Sequence, residues 1–190
     1  KEVSDKPIHA PSAREIDAAG RTVMPGLIDL HVHVHATQLN LSAQAHLPNV
    51  LVTLKSVPIL QGMLRRGFTT VRDAGGAGYA IKQAVESGLA EGPRLFVSGR
   101  AISQTGGHGD GRPRTDYIGT DGPCHCCVRV GALSRVADGV DEVRRAVREE
   151  LQMGADQIKI MASGGVASPT DPVGAWGYSE DEIRAIVAEA

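Results

Sequence analysis

Pro25-Gly26-Leu27-Ile28-Asp29-Leu30-His31-Val32-His33-Val34-His35 opens on a turn dipeptide and continues as an apolar run with a polar group at every second position from Asp29. Such alternation marks a strand, because successive side chains point to opposite faces. Asp29, His31, His33 and His35 therefore share one face. Neutral imidazoles two residues apart on a strand end can reach one cation, since zinc–nitrogen bonds are about 2.0–2.1 Å and the intervening side chain points away. The bland alternatives are histidines facing solvent at a strand end, or core histidines held by hydrogen bonds. An all-histidine alternation behind an apolar strand is a poor way to build either, and zinc-type ligation is the preferred reading.

The rest of the composition excludes more than it selects. With 190 residues, 42% hydrophobic and 22% charged, the chain reads as globular and long enough to bury a core. A net charge of −2, a pI near 6.4 and 3% aromatic residues give no reason to expect nucleic acid. No apolar stretch approaches the roughly 20 residues of a membrane span, and Lys1 to Ala10 are too polar for a secretory segment, so no membrane partner is expected. Cytoplasmic location is the default, and a homo-oligomer is left open. Cys124, Cys126 and Cys127 crowd around His125, with no cysteine elsewhere to complete a four-ligand site. That spacing argues against a disulfide framework and fits a reducing compartment.

Along the chain, apolar strand-like runs alternate with helical patterns. After the opening strand, residues 36–49 read as a loop and Val50 to Arg66 as a helix that Pro58 should kink or break, ended by Gly67. Phe68 to Asp73 is a second strand, Tyr79 to Gly88 a helix, and Arg94 to Gly99 a third strand. The segment from Arg100 to Ala137 is rich in Gly, Pro and polar residues and reads as one long loop, a length that in compact domains usually signals function. Asp138 to Met153 is an amphipathic helix through Val140, Val143, Val147 and Leu151, with the charges of Arg144 to Glu150 as its solvated face. Gln157 to Met161 is a fourth strand, and Ser179-Glu180-Asp181-Glu182 is a capping box that starts a last helix. Strand-helix alternation argues for an α/β fold with a parallel sheet.

Lys159 lies between Ile158 and Ile160 in that fourth strand. A parallel sheet covered on both faces makes a bare ammonium there unfavourable, by several kcal/mol even after relaxation. Three answers are open: a salt bridge to a carboxylate, a depressed pKa that leaves the amine neutral, or uptake of carbon dioxide to form an anionic carbamate able to bridge two cations. On spacing alone the salt bridge is favoured.

Three segments carry a resemblance. Pro25 to His33 resembles the first-strand signature of the amidohydrolase superfamily, metal-dependent hydrolases built on a (β/α)8 barrel. Gln157-Ile158-Lys159-Ile160-Met161-Ala162-Ser163-Gly164-Gly165 resembles the fourth-strand signature of the branch that holds imidazolonepropionase-like enzymes and metal-dependent Xaa-Pro dipeptidases. Gln104-Thr105-Gly106-Gly107-His108-Gly109-Asp110 is similar to a loop of the prolidase-like group. The resemblance implies that His31 and His33 are metal ligands, and that Lys159 is carboxylated and bridges two divalent metals, zinc being expected. It implies that His108 helps hold the terminal carboxylate of a substrate; the residues alone are equally served by a glycine-rich turn with an exposed histidine. His35 falls outside the two-histidine pattern and is left as a second-shell or exposed residue. Arg72 and Asp73 match the Arg-Asp-x-Gly-Gly of the same branch and receive a structural role, as a buried charge pair near the site. Trp176 and Tyr178 could line the pocket, with packing the preferred role.

The implied fold is the N-terminal part, about four strand-helix units, of a (β/α)8 TIM-type barrel, with residues 1–24 as an edge of a small β-sandwich and 25–190 as the first half of the barrel. A closed barrel takes about 250 residues, so the chain reads as the first part of a longer enzyme. The implied activity is metal-dependent hydrolysis of an amide bond in a small dipeptide or other amino-acid-derived substrate, most specifically an Xaa-Pro dipeptide. Rival readings are an imidazolonepropionase or deaminase, and a non-catalytic metal-binding module. The resemblance places two further histidines on later strands and a proton-shuttling aspartate on the eighth, beyond Ala190, so these 190 residues alone are not expected to be a competent catalyst.

Overall fold

A computed structural model of the chain describes residues 3–44, 47–111, 133–166 and 171–190. The cluster of Cys124, His125, Cys126 and Cys127 lies outside the described residues. Residues 3–26 form no strand or helix, and the first element is β1, Leu27–Val32. It is followed by α1 (Leu41–Gln44), α2 (Asn49–Arg65), β2 (Phe68–Asp73), α3 (Tyr79–Glu86) and β3 (Arg94–Phe96). β1, β2 and β3 pair in that order and all run parallel, so α2 and α3 carry the chain back along one side of the sheet between them. Val32, Val34, Val71, Leu95 and Val97 point into a core closed by Leu60 of α2 and Ile81 of α3.

Pro58 does not break α2, which runs continuously through it. The ring removes the amide that would bond the carbonyl of Leu54, and Leu54 stands on the solvent side, 63% exposed, where water can take that carbonyl. The helix ends as the sequence predicts: Gly67 adopts φ 92 and its amide donates to Leu64 O at 2.9 Å, a conformation that a side chain would strain.

Beyond β3 the structure departs from the predicted long loop. Ala101–Ser103 forms β4 and Ser134–Val136 forms β5, a parallel pair inside the stretch that reads as one connection from Arg100 to Ala137. Three-residue strands are shorter than any window in which alternation can be recognised. The predicted fourth strand is an extended segment rather than a full ladder. Ile102 donates to Lys159 O at 2.8 Å, Met161 donates to Ile102 O at 2.9 Å, and Ile160 bridges Ile102 in parallel.

α4 (Gly139–Gln152) and α5 (Glu180–Glu189) pack on this second group, with Ile102, Val143, Ala146, Val147, Tyr178 and Ile186 in its core. Glu150 is not on a solvated face: it is 2% exposed and accepts from the amide of Arg100 at 3.0 Å and from its guanidinium at 3.1 Å. The capping box forms as predicted, with Glu182 N donating to Ser179 Oγ and Ser179 N to Glu182 Oε2 at 2.8 Å. Glu182 also accepts from Gly139 N at 2.7 Å, so one carboxylate ties the starts of both helices together.

Candidate metal centre

The predicted ligands lie where parallel strands end. β1 finishes at Val32, with Val32 and Val34 buried in the core. The alternation therefore turns His31 and His33 to the other side, and their rings meet edge to face with centroids 5.3 Å apart. His33 Nδ1 lies 3.1 Å from Gly75 O. A carbonyl only accepts, so Nδ1 carries the proton and Nε2 keeps its lone pair for a ligand bond. His35 follows the same pattern, with Nδ1 donating to Gly76 O at 2.9 Å and Nε2 buried without a partner.

Asp73 holds this arrangement from below. Fully buried at the end of β2, it accepts from Val34 N at 2.7 Å through one oxygen and from Gly75 N at 2.9 Å and Ala77 N at 3.2 Å through the other. It thereby links the exit of β1 to the turn whose carbonyls orient His33 and His35. Burial pushes its carboxyl above the ordinary carboxylate value, against the pull of the three amides. The expected pairing of Arg72 with Asp73 is replaced by separate backbone bonds: Arg72 Nε donates to Leu30 O at 2.7 Å. Alternation on β2 sends the two neighbours to opposite faces.

A cavity of about 180 Å³ lies here, lined by His31, Arg72, Ala74, Ser98, Gln157, Ile158 and Lys159. Lys159, distant from His31 along the chain, thus shares its cavity, and the two are close enough for the lysine charge to act on the imidazole. Desolvation first, then the charge of Lys159, hold His31 below the ordinary histidine value. A neutral imidazole is the form that binds metal. Lys159 is half-buried, and among the described residues that line this cavity none is a carboxylate. Among the described residues no cluster of three His, Cys, Asp or Glu side chains is placed to hold a metal ion. Two imidazoles suit a divalent cation, but an ammonium beside the Arg72 guanidinium does not. Lys159 becomes compatible with a cation only when neutral or when converted to an anion.

His108 has its Nδ1 3.2 Å from Asp171 Oδ2. The loop before it is tied to α4, where Thr105 donates to Asp138 at 2.8 Å from its amide and 2.6 Å from its hydroxyl. Trp176 and Tyr178 divide. Trp176, 87% exposed, lines a larger apolar cavity of about 740 Å³ against α5, whereas Tyr178 is in the core and donates to Ala137 O at 3.0 Å. Among the described residues, that larger cavity shares none with the one beside His31. Sequence reading passed over Gln157, whose amide donates to Asp73 O at 3.0 Å, and Asp171. Gln157 opens the fourth-strand signature but carries no mark there of its partner, and Asp171 sits in no pattern that distinguishes it from an ordinary polar residue.

Residues 22–190 match the amidohydrolase family. Ochratoxinase of Aspergillus niger is 36% identical over 182 residues, a span covering 88% of this chain and 36% of that protein. A solved amidohydrolase is 79% identical with a TM-score of 0.93, covering 100% of this chain and 46% of that one. A prolidase solved with N-methylphosphonate-L-proline is 63% identical with a TM-score of 0.93, again over 100% of this chain and 46% of that one. The chain therefore spans less than half the length of each, and its parallel α/β arrangement is that of a partial barrel.

Proposed function

Because the chain belongs to the amidohydrolase family, we propose that it supplies the first part of a metal-dependent hydrolase barrel that cleaves an amide bond, and that the substrate is an Xaa-Pro dipeptide or a close amino-acid derivative. The observation that carries the reading is the arrangement of His31, His33 and Lys159: two imidazoles edge to face at 5.3 Å, and a lysine that shares the cavity of one of them with no carboxylate among the described lining residues. His31 and His33 would hold one divalent cation, zinc by the nature of the donors, and Lys159 would bridge it to a second as a carbamate. The neutral amine adds carbon dioxide and loses a proton, which exchanges the misplaced cation for an anion. When bound, such metals polarise the scissile carbonyl and bring the pKa of a water toward 7.

The chain's own residues do the positioning. Gly75 O fixes the His33 ring so that Nε2 is the free nitrogen, and Asp73 fixes Gly75; His108 would receive a substrate carboxylate. The prolidase relative, solved with a proline phosphonate, supports the proline-containing substrate class. The remaining strands of the barrel would cover Leu27, Ile28 and Leu30 of β1, which are 40%, 62% and 57% exposed. The segment 1–24 would join the accompanying sandwich. The test is metal analysis and dipeptide hydrolysis by the complete protein, with carbon-13 NMR of protein equilibrated in labelled bicarbonate. Two metals per chain, a carbamate resonance lost in Lys159→Ala, and turnover of Xaa-Pro dipeptides are expected. A single metal with no carbamate would transfer the chain to the deaminase type, and metal uptake without hydrolysis would make it a binding module.

A further inference from the structure

His108 does not stand alone on its loop. Its Nδ1 lies 3.2 Å from Asp171 Oδ2, and the same oxygen accepts from Gly165 N at 2.8 Å. The Asp171 side chain is 3% exposed and that of His108 30%. Two glycines make the seat. A Cβ on Gly165 would overlap the His108 ring, and one on Gly164 would overlap the carbonyl of Pro172. The glycine pair after the fourth strand segment and the histidine of the third-strand loop are thus two halves of one contact.

The backbone around His108 is secured without Asp171. Gly109 N donates to Ser103 Oγ at 3.0 Å, Ser134 Oγ donates to Gly109 O, and Asp138 takes both donors of Thr105. What Asp171 adds is the ring. A carboxylate oxygen accepts, so Nδ1 carries the proton and Nε2 is left as the nitrogen that meets a ligand. The other oxygen, Asp171 Oδ1, is buried with no partner. A buried carboxylate with one oxygen unsatisfied is a costly way to brace a loop, and such exceptions in native structures call for a reason. A carboxylate that balances an imidazolium formed when Nε2 takes up a proton supplies it.

We infer that Asp171 is a positioning residue for substrate recognition: it fixes the orientation of the His108 ring and balances its charge when both ring nitrogens carry protons, so that Nε2–H donates to the terminal carboxylate of the substrate. The inference rests on the amide-hydrolase reading above and deepens it, since it makes a free carboxylate on the leaving residue a condition of tight binding. It also assigns Gly165 a function, as the position whose missing side chain admits the His108 ring, while Gly164 admits the carbonyl of Pro172.

The experiment uses the complete metal-loaded protein, with an Xaa-Pro dipeptide and its C-terminal carboxamide as paired substrates. Asp171→Ala is expected to raise KM for the free-carboxylate dipeptide by about tenfold, the scale of one lost hydrogen bond to a charged group, with kcat within about twofold. The carboxamide should show no change in kcat/KM. The double variant Asp171→Ala/His108→Ala should be no weaker than His108→Ala. Equal losses on both substrates, or a double variant weaker than His108→Ala, would reduce Asp171 to a structural brace and overturn the inference. An unaffected dipeptide in His108→Ala would overturn the carboxylate-binding role of His108 itself, which separates the two failures.

If Asp171→Ala does not fold, Asp171→Asn keeps an acceptor oxygen while removing the charge. It is expected to show the same substrate split at smaller amplitude, and equal losses on both substrates overturn the inference there too. A readout independent of turnover is long-range proton–nitrogen NMR of the His108 ring. Its Nδ1-protonated signature should be lost or averaged in Asp171→Ala, and an unchanged signature counts against the inference.

Discussion

Replacing Asp73 tests whether the turn after β2 organises the histidines. Asp73→Ala strands three buried amide donors, those of Val34, Gly75 and Ala77, which now end on its two oxygens. A buried donor left without a partner costs about 1–3 kcal/mol, and local relaxation toward solvent places each near the lower end, so the sum is about 3–5 kcal/mol. In a domain of this size each kcal/mol moves the melting temperature by about 2–4 °C, giving a fall of about 6–20 °C. Asp73→Asn keeps one acceptor but turns an N–H toward a donor, and should cost about 1–3 kcal/mol. Because Gly75 also supplies the carbonyl that orients His33, both variants should weaken metal binding about tenfold. Their pH dependence is distinctive. Burial raises the Asp73 carboxyl above its ordinary value of 3.8, so between that pH and the folded-state value the native chain binds more protons than the unfolded one. Asp73 therefore makes stability decline as pH rises through that window, and Asp73→Asn should flatten the decline. Thermal unfolding of the complete protein at several pH values, with zinc titrations at pH 7, provides the measurements. A melting temperature for Asp73→Ala within about 1 °C of the parent would refute the hydrogen-bond accounting. A destabilised variant with unchanged zinc affinity would refute the coupling to His33.

Further outcomes follow from other parts of the chain. His31→Ala and His33→Ala should each lower zinc content by at least one ion per chain, read by elemental analysis, while His35→Ala should leave the count unchanged because His35 lies outside the proposed pair. Glu150→Ala removes the acceptor of the Arg100 amide and guanidinium from a site only 2% exposed and should cost about 2–3 kcal/mol, less than a fully enclosed pair because Arg100 is 27% exposed; denaturant titration checks it. Glu182 carries the opposite acid signature to Asp73. Desolvation pushes its carboxyl up, but the Ser179 amide and hydroxyl and the Gly139 amide outweigh it and hold the net value below 4.5. Its contribution is thus present above pH 4.5 and lost as pH falls through the folded-state value, and Glu182→Gln should remove that portion of the acid unfolding curve.

The repeating strand-helix order was legible because each of its longer elements carries its own period. Leu27–Val32 alternates, Phe68–Asp73 is short and rich in β-branched residues, Gly139–Gln152 repeats at three and four, and Ser179 with Glu182 announces the last helix. β4 and β5 were not legible, since their three residues each are held by pairing with distant chain rather than by local preference. Glu150 was misassigned for a related reason. Its neighbours are charged and solvated, and only the approach of Arg100 from the strand end makes its position an interior one.

The site divides along the same line. His31 and His33 are adjacent on one strand, so their convergence is a local consequence of the pleat and could be read from spacing. Lys159 is different: spacing favours a salt bridge, whereas the cavity places it with His31 and Arg72 and no carboxylate among the described lining residues. Which neighbours answer a half-buried charge is a property of topology, because parallel pairing brings together strand ends that are far apart in sequence. The same holds for Asp171 and Gly165, whose meaning appears only once the third-strand loop lies across them. Where the chemistry depends on one element, the residues announce it; where it depends on two strand ends meeting, the sequence offers the candidates and the fold chooses their partners. A lysine placed with one imidazole and a guanidinium is the clearest such choice here, and its conversion to a neutral or anionic form is the step on which the proposed activity turns.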